Sequence, residues 1–169
     1  MASLRFTPAP VAEAIRHWVV ADYTHLGPLR ASLCEAIDAQ VPMAGPERDD
    51  LVERMTIVVT ELATNALRHG RSTVPVQLSR SPVALVLDVA DDAFAAAPQI
   101  HDAGSLEAGG RGLHITHELA SDMGWYVEQD QKHVWVQFRL PRLVRRRQTP
   151  RIPVFDLKSF LRRVRRLGY

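Results

Sequence analysis

Cysteine is nearly absent from this sequence. Cys34 stands alone in 169 residues. A disulfide needs two cysteines and a thiolate zinc cluster needs more, so neither scaffold is open to the chain. No apolar run approaches the roughly 20 residues that span a bilayer. The opening MASLRFTPAP lacks the basic start and apolar stretch of a secretory signal. There is no internal repeat, which excludes a solenoid. The expectation is one globular domain in the reducing cytoplasm, long enough to bury a core without staples.

A uniformly basic surface is also missing, although the net charge is +2. Residues 142–169 hold ten Lys/Arg and one acid, Asp156, for a local charge of +9. The remaining 1–141 hold eleven bases and eighteen acids, for −7. An acidic body with a basic tail is a polyampholyte, so direct nucleic-acid binding is not expected.

Residues 3–10 carry two prolines and read as an extended arm. The stretch VAEAIRHWVV is ambiguous; a helix or arm up to Ile15 followed by a short strand over 16–21 is the expectation. Leu29, Leu33, Ile37 and Val41 recur every four residues, which predicts a helix beginning at Thr24 or Gly27. A loop follows over 42–46. Residues 47–68 form the longest helical pattern, with Leu51, Met55, Val58, Val59, Leu62 and Ala66 on one face. Gly70 then reads as a helix-ending residue that tolerates positive φ.

Beyond Gly70 the period changes to two. Val74, Val76 and Leu78 alternate with polar residues, and 83–90 is a second strand. Residues 92–110 read as loop, 113–121 as a short helix, and 126–128 and 133–140 as strands around a turn at 129–132. Hairpin-like pairs with few crossovers favour a mixed, largely antiparallel sheet with helices on one face. Trp18, Trp125 and Trp135 flank strands and read as sheet-packing residues.

Three features carry chemistry. In ELATNALRHG, Glu61 and Asn65 lie one turn apart on one helix face, with Arg68 further along it. A carboxylate and a carboxamide pointing the same way suit a hard cation that keeps waters and phosphates in its shell; a solvated helix edge with surface ion pairs is the bland alternative. In GGRG, the glycines Gly109, Gly110 and Gly112 let backbone N–H groups turn toward an anion at the start of a helix; an ordinary glycine turn is the alternative. Asp91, ending a strand, can accept a hydrogen bond from an exocyclic amine or cap a turn. His114 and His117 sit three apart on a helix, but no third ligand is evident for zinc.

In this order the features resemble the histidine-kinase-like ATPase superfamily, and within it the anti-sigma regulatory factor branch of bacterial serine-protein kinases, in its actinobacterial style. ELATNALRHG looks like the family's N-box, LDVADD like the strand leading to its adenine-binding aspartate, GGRGLHITHELA like its glycine box, and GWYVEQDQKHVWVQF like its last two strands. The resemblance covers roughly 16–140.

The resemblance implies an α+β fold, a two-layer α/β sandwich of the Bergerat ATP-binding type, over 16–141, with an arm at 1–15 and a basic tail at 142–169. It implies ATP and Mg²⁺ as cofactors. Glu61 would be the general base, Asn65 the Mg²⁺ ligand, and Asp91 the reader of the adenine amine. Gly110 and Gly112 would cradle phosphates, with Arg111 and Leu113 beside them and Arg68 and His69 bordering the pocket. The sequence departs from the family in having no glycine between Asp91 and Pro98, and Asp92 is a rival for the adenine role. The implied activity is an ATP-dependent protein-serine kinase that binds a sigma factor and phosphorylates an anti-anti-sigma antagonist. The family commonly pairs, so a homodimer is admitted. A partner-binding module whose kinase activity has decayed, sensing nucleotide or lacking it, is the rival, and a sensor-kinase fragment a third reading. In the tail, Asp156 can cap a helix with Leu157, Phe160, Leu161, Val164 and Leu167 on one face. Such a basic amphipathic helix can lie on anionic lipid, dock on a partner or contact nucleic acid, or pack back on the acidic body.

Overall fold

The computed structural model describes residues 2–41, 45–70, 73–92, 98–100 and 111–140. Its strands are β1 (Ala2–Ser3), β2 (Glu13–Val20), β3 (Val74–Arg80), β4 (Ala84–Asp91), β5 (Gln99–Ile100), β6 (Asp122–Glu128) and β7 (Gln131–Arg139). Its helices are α1 (Leu26–Gln40), α2 (Pro46–His69) and α3 (Arg111–Leu119), with a 3₁₀ turn at Tyr23–His25 before α1. The tail and its expected helix lie outside the described residues, as do 93–97 and 101–110.

Five strands form one sheet in the order β2-β3-β4-β7-β6, and every neighbouring pair is antiparallel. The period of two sorts its side chains. Trp18, Val76, Val89, Val134 and Trp125 lie opposite one another across all five strands. A second row runs Leu78, Leu87, Val136, Met123. Both rows belong to the apolar core, which also takes Leu29, Leu33 and Ile37 of α1 and Leu51, Met55, Val58, Val59, Leu62, Ala63 and Ala66 of α2. The helices thus cover one face of the sheet, and the fold is α+β. Each fully buried Leu, Val or Met removes apolar surface worth about 1.5–3 kcal/mol.

Local chemistry sets the helix ends. Gly45 takes φ 95° before α2, and Pro46 supplies a preset first-turn φ. Glu47 and Asp49 stand in the first turn and Arg68 and His69 in the last, each matching the helix dipole. At the end of α3, Arg54 of α2 donates to the Leu119 carbonyl at 3.2 Å, so the two helices are tied at an otherwise unsatisfied acceptor.

Four sequence expectations change. Residues 13–15 are strand, not helix or arm: β2 starts at Glu13 because it pairs with β3 along its whole length, with a bulge between Ala14 and Arg16. The helix α3 starts at Arg111, so Gly112 is helical and not part of a preceding loop. Gly70 is extended, with φ −81° and ψ 164°, and its N–H bonds the Ala66 carbonyl. Its need for glycine is clearance, since a methyl there would stand 2.7 Å from that same oxygen. The last hairpin is longer than its apolar letters suggest. It turns on Gln129 and Asp130, whose positive φ values of 48° and 59° suit the twist of a two-residue hairpin.

The N-terminal segment closes the far edge of the sheet. Trp125 donates its backbone N–H to Arg5 O, and Thr7 donates back to Trp125 O. The indole N–H groups of Trp125 and Trp135 donate to Leu4 O and Thr7 O. Phe6 packs edge-on against Trp125, and Arg5 pairs with Asp122. The edge of β6 is thereby covered, which removes a template for unwanted strand pairing. Ala2 and Ser3 pair with Ile100 and Gln99, a contact the sequence did not announce. Among the described residues no helix is long and apolar enough to cross a membrane.

Candidate functional site

Helix α2 carries the polar stripe. Glu61 and Asn65 are half-buried on it, one turn apart, while Arg68 and His69 are exposed on the last turn. The stripe faces α3. A methyl group built on Gly112 would stand 2.6 Å from Glu61 Oε2 and 3.0 Å from Asn65 Nδ2. The backbone of the first turn of α3 therefore rests directly on these two side chains, and a Cβ at this position would push their polar tips aside. Thr116, fully buried, donates its hydroxyl to the Gly112 carbonyl at 2.8 Å. Leu113 packs against the core. Arg111 opens the helix; its side chain lies outside the described residues, as does Gly110.

The first turn of a helix exposes unpaired N–H groups and the positive end of the dipole. Here that end meets a carboxylate and a carboxamide from a second helix. The set offers hard oxygen ligands and amide donors side by side, the mixture that suits phosphate groups with a small divalent cation.

The end of β4 lies at the foot of the same helix. A methyl on Gly70 would stand 3.7 Å from Asp91 Cβ and 3.0 Å from Asp92 Oδ1. Asn65 and Gly70 are five residues apart, about 7.5 Å along a helix axis. Asp91 is buried, and its Oδ1 lies 3.1 Å from Lys132 Nζ at the start of β7. The side chains are only 11% and 12% exposed, so this is an interior ion pair and not a solvated one.

Residues 19–139 match the family model for the histidine kinase-like ATPase domain. The chain belongs to the histidine kinase-like ATPase family. The structure of the Acinetobacter baumannii histidine kinase AdeS is similar at 12% identity, with a TM-score of 0.41, over 74% of this chain and 68% of that one. No curated protein matches the sequence.

As a histidine kinase-like ATPase domain, the chain is an ATP-binding fold. The residues singled out from its sequence fall into two groups in space. Glu61, Asn65 and Gly112 meet between α2 and α3, and Asp91 sits with Gly70 at the end of α2. Among the described residues, no three His, Cys, Asp or Glu side chains cluster as a metal site, and His117 is exposed beside Glu118.

Sequence reasoning missed three things in this ATPase domain. Thr116 is one; its position four residues after Gly112 was the available signal. Lys132 is another, hidden because only the β4–β7 register brings it opposite Asp91. The third is a cluster on the sheet face away from α1 and α2. Asp88 accepts from the Tyr126 hydroxyl at 2.8 Å and lies 2.7 Å from His133 Nδ1. The rings of Tyr126 and His133 stack at 4.6 Å. Burial, followed by the charge of Asp88 and its hydrogen bond, pushes the Tyr126 phenol well above its ordinary range.

Proposed function

We propose that this chain is an ATP- and Mg²⁺-dependent regulatory kinase of the anti-sigma type. It binds a sigma factor and phosphorylates a serine of an antagonist protein. The observation that supports this most is the meeting of Glu61 and Asn65 with the glycine-led first turn of α3. Those groups fit a magnesium nucleotide: Asn65 would hold the cation through its amide oxygen, and the first-turn amides of α3 would bind phosphate oxygens. Bound Mg²⁺ supplies neutralisation of phosphate charge.

Glu61 is the general base in this reading. It accepts the proton of the attacking serine hydroxyl as the new Oγ–phosphorus bond forms and ADP departs. Asp91 accepts the amine of the base. Arg68 and His69, exposed on the last turn of α2, border the same end. Buried Thr116 and the Arg54–Leu119 bond hold α3 against α2, so they position the site without touching substrate.

The test is a thermal melt with and without Mg·ATP, followed by labelled ATP with candidate antagonists. We expect ATP to raise Tm by several degrees, Glu61→Ala to keep that rise and lose transfer, and Asn65→Ala to lose the rise. A rise without transfer to any antagonist favours a nucleotide sensor. Normal transfer by Glu61→Ala would overturn the role given to Glu61.

A further inference from the structure

We infer that residues 2–4 are a strap on the nucleotide site. They hold β5 against α3, position the first turn of that helix, and so set the affinity for nucleotide. This rests on the nucleotide reading above, and it concerns a segment that precedes the family-matched residues 19–139.

The weakly held part of the site is α3. It has nine residues, and an isolated helix shorter than about 12–15 residues is marginal in water. Its place is therefore fixed by what it touches. On one side it rests on α2, through Gly112 and the Arg54–Leu119 bond. It also lies against β5. In the chain β5 comes after Asp91 and before Gly112, so it falls between the two groups of site residues.

Among the described residues β5 pairs only with β1, and each strand is two residues long. A two-stranded pair that short is not stable by itself. Leu4 supplies the hold. It is 5% exposed and belongs to the core. Its carbonyl accepts the Trp125 indole N–H at 3.0 Å, and its own N–H donates to the Pro98 carbonyl at 3.2 Å. One residue thus joins the core, β6 and the chain entering β5. Bonded pairs recur at every second residue of an antiparallel ladder, so the next bonded pair after Leu4–Pro98 is Ala2–Ile100. Pro98 has no N–H to return, which leaves Ala2–Ile100 as the pair that exchanges two bonds. The bonds of Thr7 to Trp125 and Trp135 are a separate attachment farther along the arm.

A phosphate bound by the first turn of α3 is held only while α3 keeps its place, and the strap is one of the supports of that place. Such coupling is reciprocal. A nucleotide that needs α3 in position tightens the Leu4–Pro98 bond, and loosening the strap weakens the nucleotide.

The experiment is amide hydrogen exchange on the full chain with and without saturating Mg·ATP, paired with isothermal titration. Mg·ATP should slow exchange at the Leu4 N–H by at least about threefold more than at the Leu140 N–H. The latter bonds the Val83 carbonyl at the opposite end of β4 and records general stabilisation. Ala2→Pro removes a donor from the Ala2–Ile100 pair and should weaken Mg·ATP about three- to tenfold, with Tm changed by no more than about 4 °C. Ala2→Ser keeps that N–H and should bind Mg·ATP as the unmodified chain does. Slowing at Leu4 that is no greater than at Leu140 overturns the inference. So does a folded Ala2→Pro protein whose dissociation constant for Mg·ATP stays within about twofold. Either result, in a chain that binds Mg·ATP, leaves the nucleotide reading standing. If the unmodified chain binds no nucleotide, that reading fails, and this inference with it.

Discussion

Replacing Gly112 with alanine separates packing from chemistry at the α2–α3 contact. The new methyl would lie 2.6 Å from Glu61 Oε2, 3.0 Å from Asn65 Nδ2 and 3.5 Å from Glu61 Cβ. The last is ordinary contact. The first two are the free tips of flexible side chains, so relief comes from turning Glu61 and Asn65 aside and not from parting the helices. Forcing a side chain off its preferred rotamer costs about 0.5–1.5 kcal/mol. Alanine in place of glycine in a helix returns about 0.8–1 kcal/mol. With both side chains displaced the cost is about 1–3 kcal/mol, so the net is a loss of about 0–2 kcal/mol, and at this chain length 1 kcal/mol moves Tm by about 2–4 °C. The melting point should therefore fall by no more than about 8 °C. Function should not be spared. A general base must lie about 2.6–3.2 Å from its proton, and a misplacement near 1 Å costs about 100-fold. Melting curves with and without Mg·ATP, with phosphoryl transfer measured on the same sample, read both effects. An unchanged Tm with an unchanged response to Mg·ATP would refute the placement of Glu61 and Asn65 in the site. A collapse in Tm would show that the contact is structural packing.

The same substitution at Gly124 should behave in the opposite way: its methyl would meet Thr7 Cγ2 at 2.7 Å and the Trp135 ring at 2.8 Å, and the ring is 98% buried. A rigid buried ring cannot turn aside, so Gly124→Ala should cost about 1–3 kcal/mol by denaturant melt while leaving nucleotide affinity within about twofold of the unmodified chain; a neutral melt would disprove the tight packing of the arm. Tyr126 adds to the loss of stability at alkaline pH, because its raised phenol pKa means that the folded state holds a proton which the unfolded chain releases near pH 10. Its contribution is therefore complete below about pH 10 and lost as pH climbs from there toward the higher folded value. Tyr126→Phe should cost about 1 kcal/mol at neutral pH and flatten the fall in stability between about pH 9 and pH 11; parallel falls in the two proteins would refute this.

The long periodic elements were legible because burial on one face writes itself into spacing. Leu29, Leu33, Ile37 and Val41 are all buried, as is the stripe from Leu51 to Ala66. Strands β3 and β4 were equally plain. The failures came where a distant partner decides the local state. VAEAIRHWVV suits helix or strand alone, and pairing with β3 chooses strand from Glu13 onward. Glycine is a poor helix former, so Gly112 reads as loop until its close approach to Glu61 and Asn65 of α2 is seen. The arm lies more than a hundred residues away in sequence from β6, and no periodicity encodes such a contact.

The same logic explains why the Asp91–Lys132 contact was invisible. Asp91 was identified by its place at the end of a strand, but Lys132 is found only by aligning β4 with β7. That alignment sets Ala90 opposite His133 and Asp91 opposite Lys132. A strand alternates faces at every residue, so sliding β7 by one position would exchange the faces of all its side chains. His133 would leave Asp88 and the open face, Lys132 would leave Asp91, and Val134 and Val136 would leave the core together. The apolar row across the sheet, the Asp88–His133–Tyr126 cluster and the Asp91–Lys132 pair are therefore satisfied by one register and broken by its neighbours. The ion pair at the end of α2 is held in place as much by buried valines on β7 as by its own charges.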